Sequence, residues 1–188
     1  MSGGTLSIIL GPMFSGKTKE LYGLYNLYKC NNKPVLAINH QLDKRYGSNE
    51  NENLVFTHDG CSFPCIPLKR LFDIDMNKVD EAKVILINEG QFFEDLVPFV
   101  EMLLQKNKDI YVCGLDGDFQ RKKFGTILDL IPFCDRVTKL TSKCSLCSKN
   151  GREIPRPGLF SKRKTNETDV VVVGSDNYDN VCRECYDL

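Results

Sequence analysis

The sequence predicts an α/β fold, a parallel sheet covered by helices on both faces, followed by a small cysteine-rich C-terminal unit. Three observations predict it. Short apolar runs alternate with stretches of helical periodicity up to about residue 115. A glycine-bearing segment, Gly11-Pro12-Met13-Phe14-Ser15-Gly16-Lys17-Thr18, joins the first apolar run to the first helical stretch. Near residue 141 the helical stripes stop, and paired cysteines with Gly, Pro, Lys and Arg take over. We therefore expect an α/β domain over 1–140 and a second, small unit over 141–188.

In chain order, Leu6-Ser7-Ile8-Ile9-Leu10 reads as a buried strand. Leu21, Leu24, Tyr25 and Tyr28 fall at i, i+3, i+4 and i+7 and mark the first helix. Asn31-Asn32-Lys33-Pro34 breaks that pattern, and Val35-Leu36-Ala37-Ile38 reads as a second strand. Residues 41–53 are polar and poorly patterned, so a mobile loop is expected there. His58-Asp59-Gly60 is a turn between Leu54-Val55-Phe56 and Phe63-Pro64-Cys65-Ile66. Val84-Ile85-Leu86-Ile87 is the clearest strand. Phe92, Leu96, Phe99, Val100, Leu103 and Leu104 form a helical stripe that tolerates Pro98 only near its start. Ile110-Tyr111-Val112-Cys113-Gly114-Leu115 is a further strand. Strands alternating with helices argue for a parallel sheet.

The bulk properties narrow the function. With 188 residues the chain fits one domain, or one plus an appendage, and 41% hydrophobic residues suffice for a core. Lys+Arg and Asp+Glu both number 25, so a broad basic surface for nucleic acid is not expected. Met1-Ser2-Gly3-Gly4 lacks a charged-then-apolar signal, and no apolar run approaches the ~20 residues of a membrane span. The expected location is the cytoplasm, with no membrane partner. Nine cysteines in a reducing compartment are read first as metal binding.

Strand, glycine loop, Gly-Lys-Thr and helix form the phosphate-binding P-loop context. Gly11 and Gly16 let successive N–H groups turn toward one point, and the helix adds its positive N-terminal end. Lys17 can reach the β- and γ-phosphates, and the Thr18 hydroxyl can ligate Mg²⁺. In α/β sheets ligands gather beyond the carboxyl ends of strands. Two further ends qualify, Asn88-Glu89-Gly90-Gln91-Phe92-Phe93 and Asp116-Gly117-Asp118-Phe119-Gln120. A carboxylate at Glu89 suits a general base that takes a proton from an attacking hydroxyl. It equally suits a solvated loop glutamate, and spacing alone does not separate the two.

Cys144-x-x-Cys147 with Cys182-x-x-Cys185 has the spacing of a four-thiolate Zn²⁺ site, with a redox pair or coincidence as the other readings. Four thiolates close the shell, so the metal would be structural. Cys61 and Cys65 have no second pair nearby and are read as incidental. The insert between the cysteine pairs carries Arg152, Arg156, Gly158, Lys162, Arg163 and Lys164, then a strand signal over 169–174. Tethered at both ends, it could fold over a pocket or remain a solvated basic loop.

These residues resemble the type II thymidine kinases. The likeness rests on Gly-Pro-Met-Phe-Ser-Gly-Lys-Thr at 11–18, Glu89-Gly-Gln-Phe-Phe, Leu115-Asp-Gly-Asp-Phe-Gln-Arg-Lys-Lys-Phe-Gly and the two cysteine pairs, in order from about residue 5 to 186. The resemblance implies ATP-dependent phosphorylation of the 5′-hydroxyl of thymidine. It also implies a RecA-like P-loop domain, a zinc-knuckle domain whose lasso loop covers the nucleoside, and a homotetramer. Through it, Glu89 matches the general base, Gly11 to Thr18 the phosphate loop, and Asp59 a carboxylate near magnesium and phosphates. Asn88 and Gln91 flank the base in the same motif. Met13, Phe92, Leu115, Phe119 and Phe124 match walls of the thymidine pocket. Tyr178 matches the tyrosine that closes over the nucleoside. Asp169, Val170, Val171, Val172 and Val173 match the lasso segment whose main chain meets the thymine, and Ser161 a small hydroxyl residue beside its methyl.

The sequence departs from the family pattern twice. Asn88 stands where the family carries an aspartate that helps hold Mg²⁺. An amide can accept a hydrogen bond from a metal-bound water but attracts the ion less. The expectation is an active kinase with weaker magnesium binding, Asp59 being the remaining carboxylate. Ile154-Pro155-Arg156-Pro157 lengthens the lasso. A P-loop nucleotide sensor with a partner-binding zinc knuckle is the alternative, and Asn88 is the feature that favours it.

Overall fold

The computed structural model describes residues 3–43, 53–165 and 177–188. The predicted loop over 41–53 and the lasso residues 169–173 therefore fall largely or wholly outside the described residues.

The first half of the chain runs β1 (Thr5–Leu10), α1 (Lys17–Cys30), β2 (Val35–His40), β3 (Leu54–Phe56), β4 (Ser62–Pro64), β5 (Ile66–Leu68) and α2 (Met76–Glu81). It continues with β6 (Val84–Ile87), α3 (Leu96–Gln105), β7 (Asp109–Gly114) and β8 (Arg136–Lys139). Six strands form one sheet in the order β5-β2-β6-β7-β1-β8, and every pairing is parallel. This is the predicted α/β architecture. The order places β6 and β7 between β2 and β1, so the carboxyl ends of β1, β7, β6 and β2 lie side by side.

Alternation along buried strands divides the core into two layers. Leu6, Ile8, Ile85, Ile87, Ile110 and Val112 face α3 and join Leu96, Phe99, Val100 and Leu103. Ile9, Ala37, Val84, Leu86 and Cys113 face the other way and join Leu21 of α1 with Val55 and Phe63 of the β3–β4 hairpin. The stripe on α1 performs as its spacing predicts. Leu24, Tyr25 and Tyr28 pack on this second layer, and the Tyr25 ring lies 5.3 Å from Phe63. Cys65 is buried in the same layer, which pushes its thiol up to about 12.

Three local features differ from the sequence pattern. Phe92 belongs to a 3₁₀ turn, Gly90–Phe92, and α3 begins only at Leu96, with Pro98 in its first turn. Asp95 precedes α3, but its carboxylate accepts from the N–H groups of Leu71 and Phe72, each 3.1 Å away, instead of capping the helix. A 3₁₀ segment, Ile127–Phe133, and the edge strand β8 occupy a stretch that carries no period. β8 pairs only with β1 and all four of its residues retain exposure, so it lacks the apolar alternation that marks a strand.

The remaining chain makes β9 (Ser142–Lys143), α4 (Ser145–Lys149), β10 (Pro157–Gly158), β11 (Phe160–Arg163), β12 (Tyr178–Val181) and α5 (Arg183–Tyr186). Among the described residues its strands form two antiparallel pairs, β9–β10 and β11–β12. Its core, among the same residues, is small: Val181 and four cysteines, backed by Leu146, Phe160 and Tyr186. It meets the sheet body through Tyr186, whose hydroxyl donates to the Phe119 carbonyl at 2.6 Å. The Arg121 guanidinium lies 4.1 Å over the Tyr186 ring and pairs with Asp187 at 3.2 Å.

Phe99 is fully buried between α3 and the sheet, with Phe72 packed edge-on at 5.3 Å. Phe99→Ala should cost about 3–5 kcal/mol. The expected result is a lower urea midpoint with an unchanged denaturant slope.

Candidate active site

The chain leaves β1 at Leu10 and turns through Gly11 at φ 154, Phe14 at φ 57 and Gly16 at φ 90 before entering α1. A Cβ at Gly11 would lie 2.7 Å from both the Leu140 carbonyl and Ser15 Oγ, so only glycine lets the loop pass. Lys17 is buried, and its ammonium donates to the Pro12 carbonyl at 2.8 Å. Ser15 Oγ is buried without a hydrogen-bond partner. An orphaned hydroxyl beside a helix N-terminus and a lysine fits an anion bound in the loop.

A cavity of about 290 Å³ opens here, with Ser15, Gly16, Lys17 and Thr18 on one wall and His58 and Asp59 on the other. The β3–β4 turn supplies the second wall. Thr57 accepts and donates within that turn, and its hydroxyl donates to Asp59 at 2.5 Å. Lys19 binds the same carboxylate at 2.8 Å. That lysine, then the Thr57 hydroxyl, holds the Asp59 carboxyl down at about 2. The Phe14 ring faces His58 at 4.6 Å. Thus the tertiary structure brings Asp59 to the phosphate loop.

Beyond β6, Glu89 is 6% exposed and adopts the left-handed conformation, φ 54 and ψ 42. Such a conformation costs a non-glycine residue about 1–3 kcal/mol and persists only when its surroundings impose it. Gln91 does so. Its Nε2 donates to Glu89 Oε2 at 2.7 Å, while its Oε1 accepts from the Leu115 N–H at 3.0 Å. Two glycines press against Gln91: an added Cβ would lie 2.3 Å from its Oε1 at Gly114 and 2.1 Å from its carbonyl at Gly125. The solvated-loop reading of Glu89 therefore gives way to a buried, oriented carboxylate. Asn88, 1% exposed, lies in a network with Asn39, Asp43 and Cys113.

The predicted pocket walls gather in two groups. Phe92 meets Phe124 edge-on at 5.5 Å. Phe119 lies under the Arg163 guanidinium at 3.8 Å, and Arg163 also donates to the Tyr178 hydroxyl at 2.6 Å. Ser161 is buried, and its Oγ accepts from the Met13 N–H at 3.4 Å. A second cavity of about 240 Å³ lies at this junction, bordered by Pro12, Asp116, Lys139, Phe160 and Ser161. Sequence reasoning did not assign Arg163, Lys19, Asn39 or Asp43 to the site. Arg163 was visible only as one of several basic residues in the insert, and the others carried no motif.

Cys144, Cys147, Cys182 and Cys185 are buried and their Sγ atoms lie within 4.8 Å of one another, the one such group among the described residues. Cys147 Sγ is 3.8 Å from Cys182 Sγ and 3.7 Å from Cys185 Sγ. A tetrahedron with Zn–S bonds of about 2.3 Å has edges of about 3.8 Å. A disulfide would need about 2.05 Å. Burial opposes ionisation of Cys144, but backbone N–H donors from Cys147 and Cys182 outweigh it and bring the thiol to about 7. Burial and the neighbouring sulfurs push Cys185 up to about 12. Four crowded sulfurs do not ionise together without a cation, so the donor set fits zinc.

A family model described as thymidine kinase matches residues 4–186. The thymidine kinase of Myxoma virus (strain Uriarra) is 41% identical over 187 residues, 99% of this chain and 98% of that protein. The thymidine kinases of Vaccinia virus (strain Western Reserve) and Variola virus are 39% and 40% identical over the same shares.

His40, at the end of β2, backs the pocket wall. It is 4% exposed, its Nδ1 accepts from the Leu42 N–H at 3.2 Å, and its ring lies 5.4 Å from Phe92. Burial holds its pKa below the usual 6.5. A lowered folded-state value means the unfolded chain takes up the proton first. His40 thus contributes stability that is present above pH 6.5 and is lost as pH falls toward the folded pKa. An NMR titration should find His40 titrating below 6.5; a value above it would contradict this account.

Proposed function

The chain belongs to the thymidine kinase family and phosphorylates thymidine, and on that premise we propose which residues carry the reaction. ATP lies with its phosphates on Gly11 to Thr18. Lys17 leaves the Pro12 carbonyl to reach the β- and γ-phosphates, and the Ser15 hydroxyl and loop N–H groups take up negative charge. The Thr18 hydroxyl and the Asp59 carboxylate, an oxygen-only donor set, would hold magnesium, which would supply positive charge to the phosphate oxygens. Thymidine lies against Phe92, Phe119, Phe124, Leu115 and Met13, beside Ser161, with Tyr178 closing over the nucleoside. Residues 169–173, which the resemblance matches to the segment that meets the thymine, lie outside the described residues.

Glu89 accepts the proton of the 5′-hydroxyl as that oxygen attacks the γ-phosphorus in line. The observation that carries this reading is the buried Glu89 carboxylate, aimed by Gln91 from a left-handed turn at the end of β6. Asn88, the feature that favoured a nucleotide sensor, is engaged in its own polar network and lends that alternative no support.

The division into 1–140 and 141–188 is part of the same proposal. Among the described residues the second unit has a core of one valine and four cysteines, so bound zinc would supply much of its stability. We also propose a homotetramer; Val137 on the edge strand β8 and Phe133 just before it leave apolar surface exposed. No helix among the described residues is long and apolar enough to cross a membrane, which is compatible with the cytoplasm.

Glu89→Gln keeps size and hydrogen bonding but removes basicity. Turnover in a coupled ADP-release assay should fall by roughly two to four orders of magnitude, with ATP affinity little changed. Near-normal turnover would transfer the role to another group. For zinc, metal analysis should find one equivalent. Its chelation should raise hydrogen exchange in 141–188 before the sheet body loosens. Simultaneous loosening of both, or a metal-free native protein, would remove the structural role.

A further inference from the structure

Asn88 is not idle. Its Nδ2 donates to Asn39 Oδ1 at 2.8 Å and to Asp43 Oδ2 at 3.3 Å. Asn39 Nδ2 donates to the same Asp43 oxygen at 3.3 Å. The Cys113 thiol donates to Asn88 Oδ1 at 3.0 Å, and the Asp43 carboxylate, an acceptor only, requires the amide nitrogen at the other end. Asn88 and Asn39 are 1% and 6% exposed, so these bonds lie largely out of water.

An aspartate at 88 could not reproduce this arrangement. It has no N–H to offer Asn39 or Asp43, and it would set a second carboxylate against that of Asp43. Like charges at that separation repel, and burial amplifies the effect. The amide thus converts a repulsive pair into a hydrogen-bonded one.

The network also has a useful location. It spans the carboxyl ends of β2 and β6 and touches β7 through Cys113. Cys113 pairs in register with Ile9 of β1, two residues before the phosphate loop. Resting on the reading that the loop holds ATP with magnesium, we propose that Asn88 is a positioning residue: with Asn39 it orients the Asp43 carboxylate toward the metal–nucleotide complex. Asp43 thereby supplies, through metal-bound water, the charge that residue 88 lacks. Magnesium keeps several waters, so direct ligation is not required.

The test reads metal binding rather than turnover. Mn²⁺ is titrated by electron paramagnetic resonance into the full chain with the β,γ-imido analogue of ATP. Asp43→Asn should weaken Mn²⁺ binding about tenfold, the loss of one nearby charge. Asn88→Ala and Asn39→Ala should each weaken it in the same direction. In the Asp43→Asn background neither should add a further effect, because both act through Asp43. Thermal melts of each variant report folding, and either asparagine variant suffices if the other fails to fold. Unchanged Mn²⁺ affinity in Asp43→Asn, or full additivity in the double variants, overturns the inference. If the wild-type chain bound the analogue with no uptake of Mn²⁺, the metal–nucleotide reading would fall and the inference with it. Tight Mn²⁺ uptake indifferent to Asp43 would sink the inference alone.

Discussion

The candidate site depends on one buried amide. Gln91 holds Glu89 with its nitrogen and the Leu115 backbone with its oxygen, so the segments after β6 and β7 are fixed to each other. Both ends of the amide are committed, which sets its orientation and, through it, that of the carboxylate. The same clamp explains two glycines. Gly114 and Gly125 approach Gln91 too closely for any side chain, and Gly125 also sits at φ 60. The local cost of a left-handed Glu89 is sustained by this packing, with Asn88 tied to the Ile38 carbonyl at 2.8 Å just before it.

Parallel pairing makes the clamp effective. β1, β6 and β7 are buried on both faces, and their register is fixed by hydrophobic side chains that alternate between two cores. A slip of one residue would invert every one of those side chains. The carboxyl ends of the strands are therefore as rigid as the core, and the phosphate loop, Glu89 and Leu115 inherit that rigidity. Function sits on short loops whose ends cannot move independently.

Among the described residues, the C-terminal unit meets this frame through cations and rings more than through a large apolar surface. Arg121 covers Tyr186, and Arg163 covers Phe119 while bonding Tyr178. Contacts of this kind are individually modest, about 0.5–2 kcal/mol. They can be exchanged for a flat ligand without dismantling a core. A sulfur cluster that holds the ends of the unit together allows the rest of it to be shaped by such contacts.

Local pattern determined a large part of this protein. Apolar runs and a helical stripe marked β1, α1, β2, β6, β7 and α3, because burial on a sheet or helix imposes a period that the chain itself carries. The phosphate loop and the four cysteines were equally legible, since their chemistry needs residues at fixed short spacings. The tertiary structure decided what depends on residues far apart. β8 was silent because an exposed edge strand needs no alternation. Glu89 could not be told from a solvated glutamate until Leu115 and Gly125 closed on Gln91. Asn88 read as a missing charge until Asn39 and Asp43, more than 40 positions earlier, were found bonded to it. A hydrogen bond between distant residues leaves no periodicity, so only the folded chain reveals it.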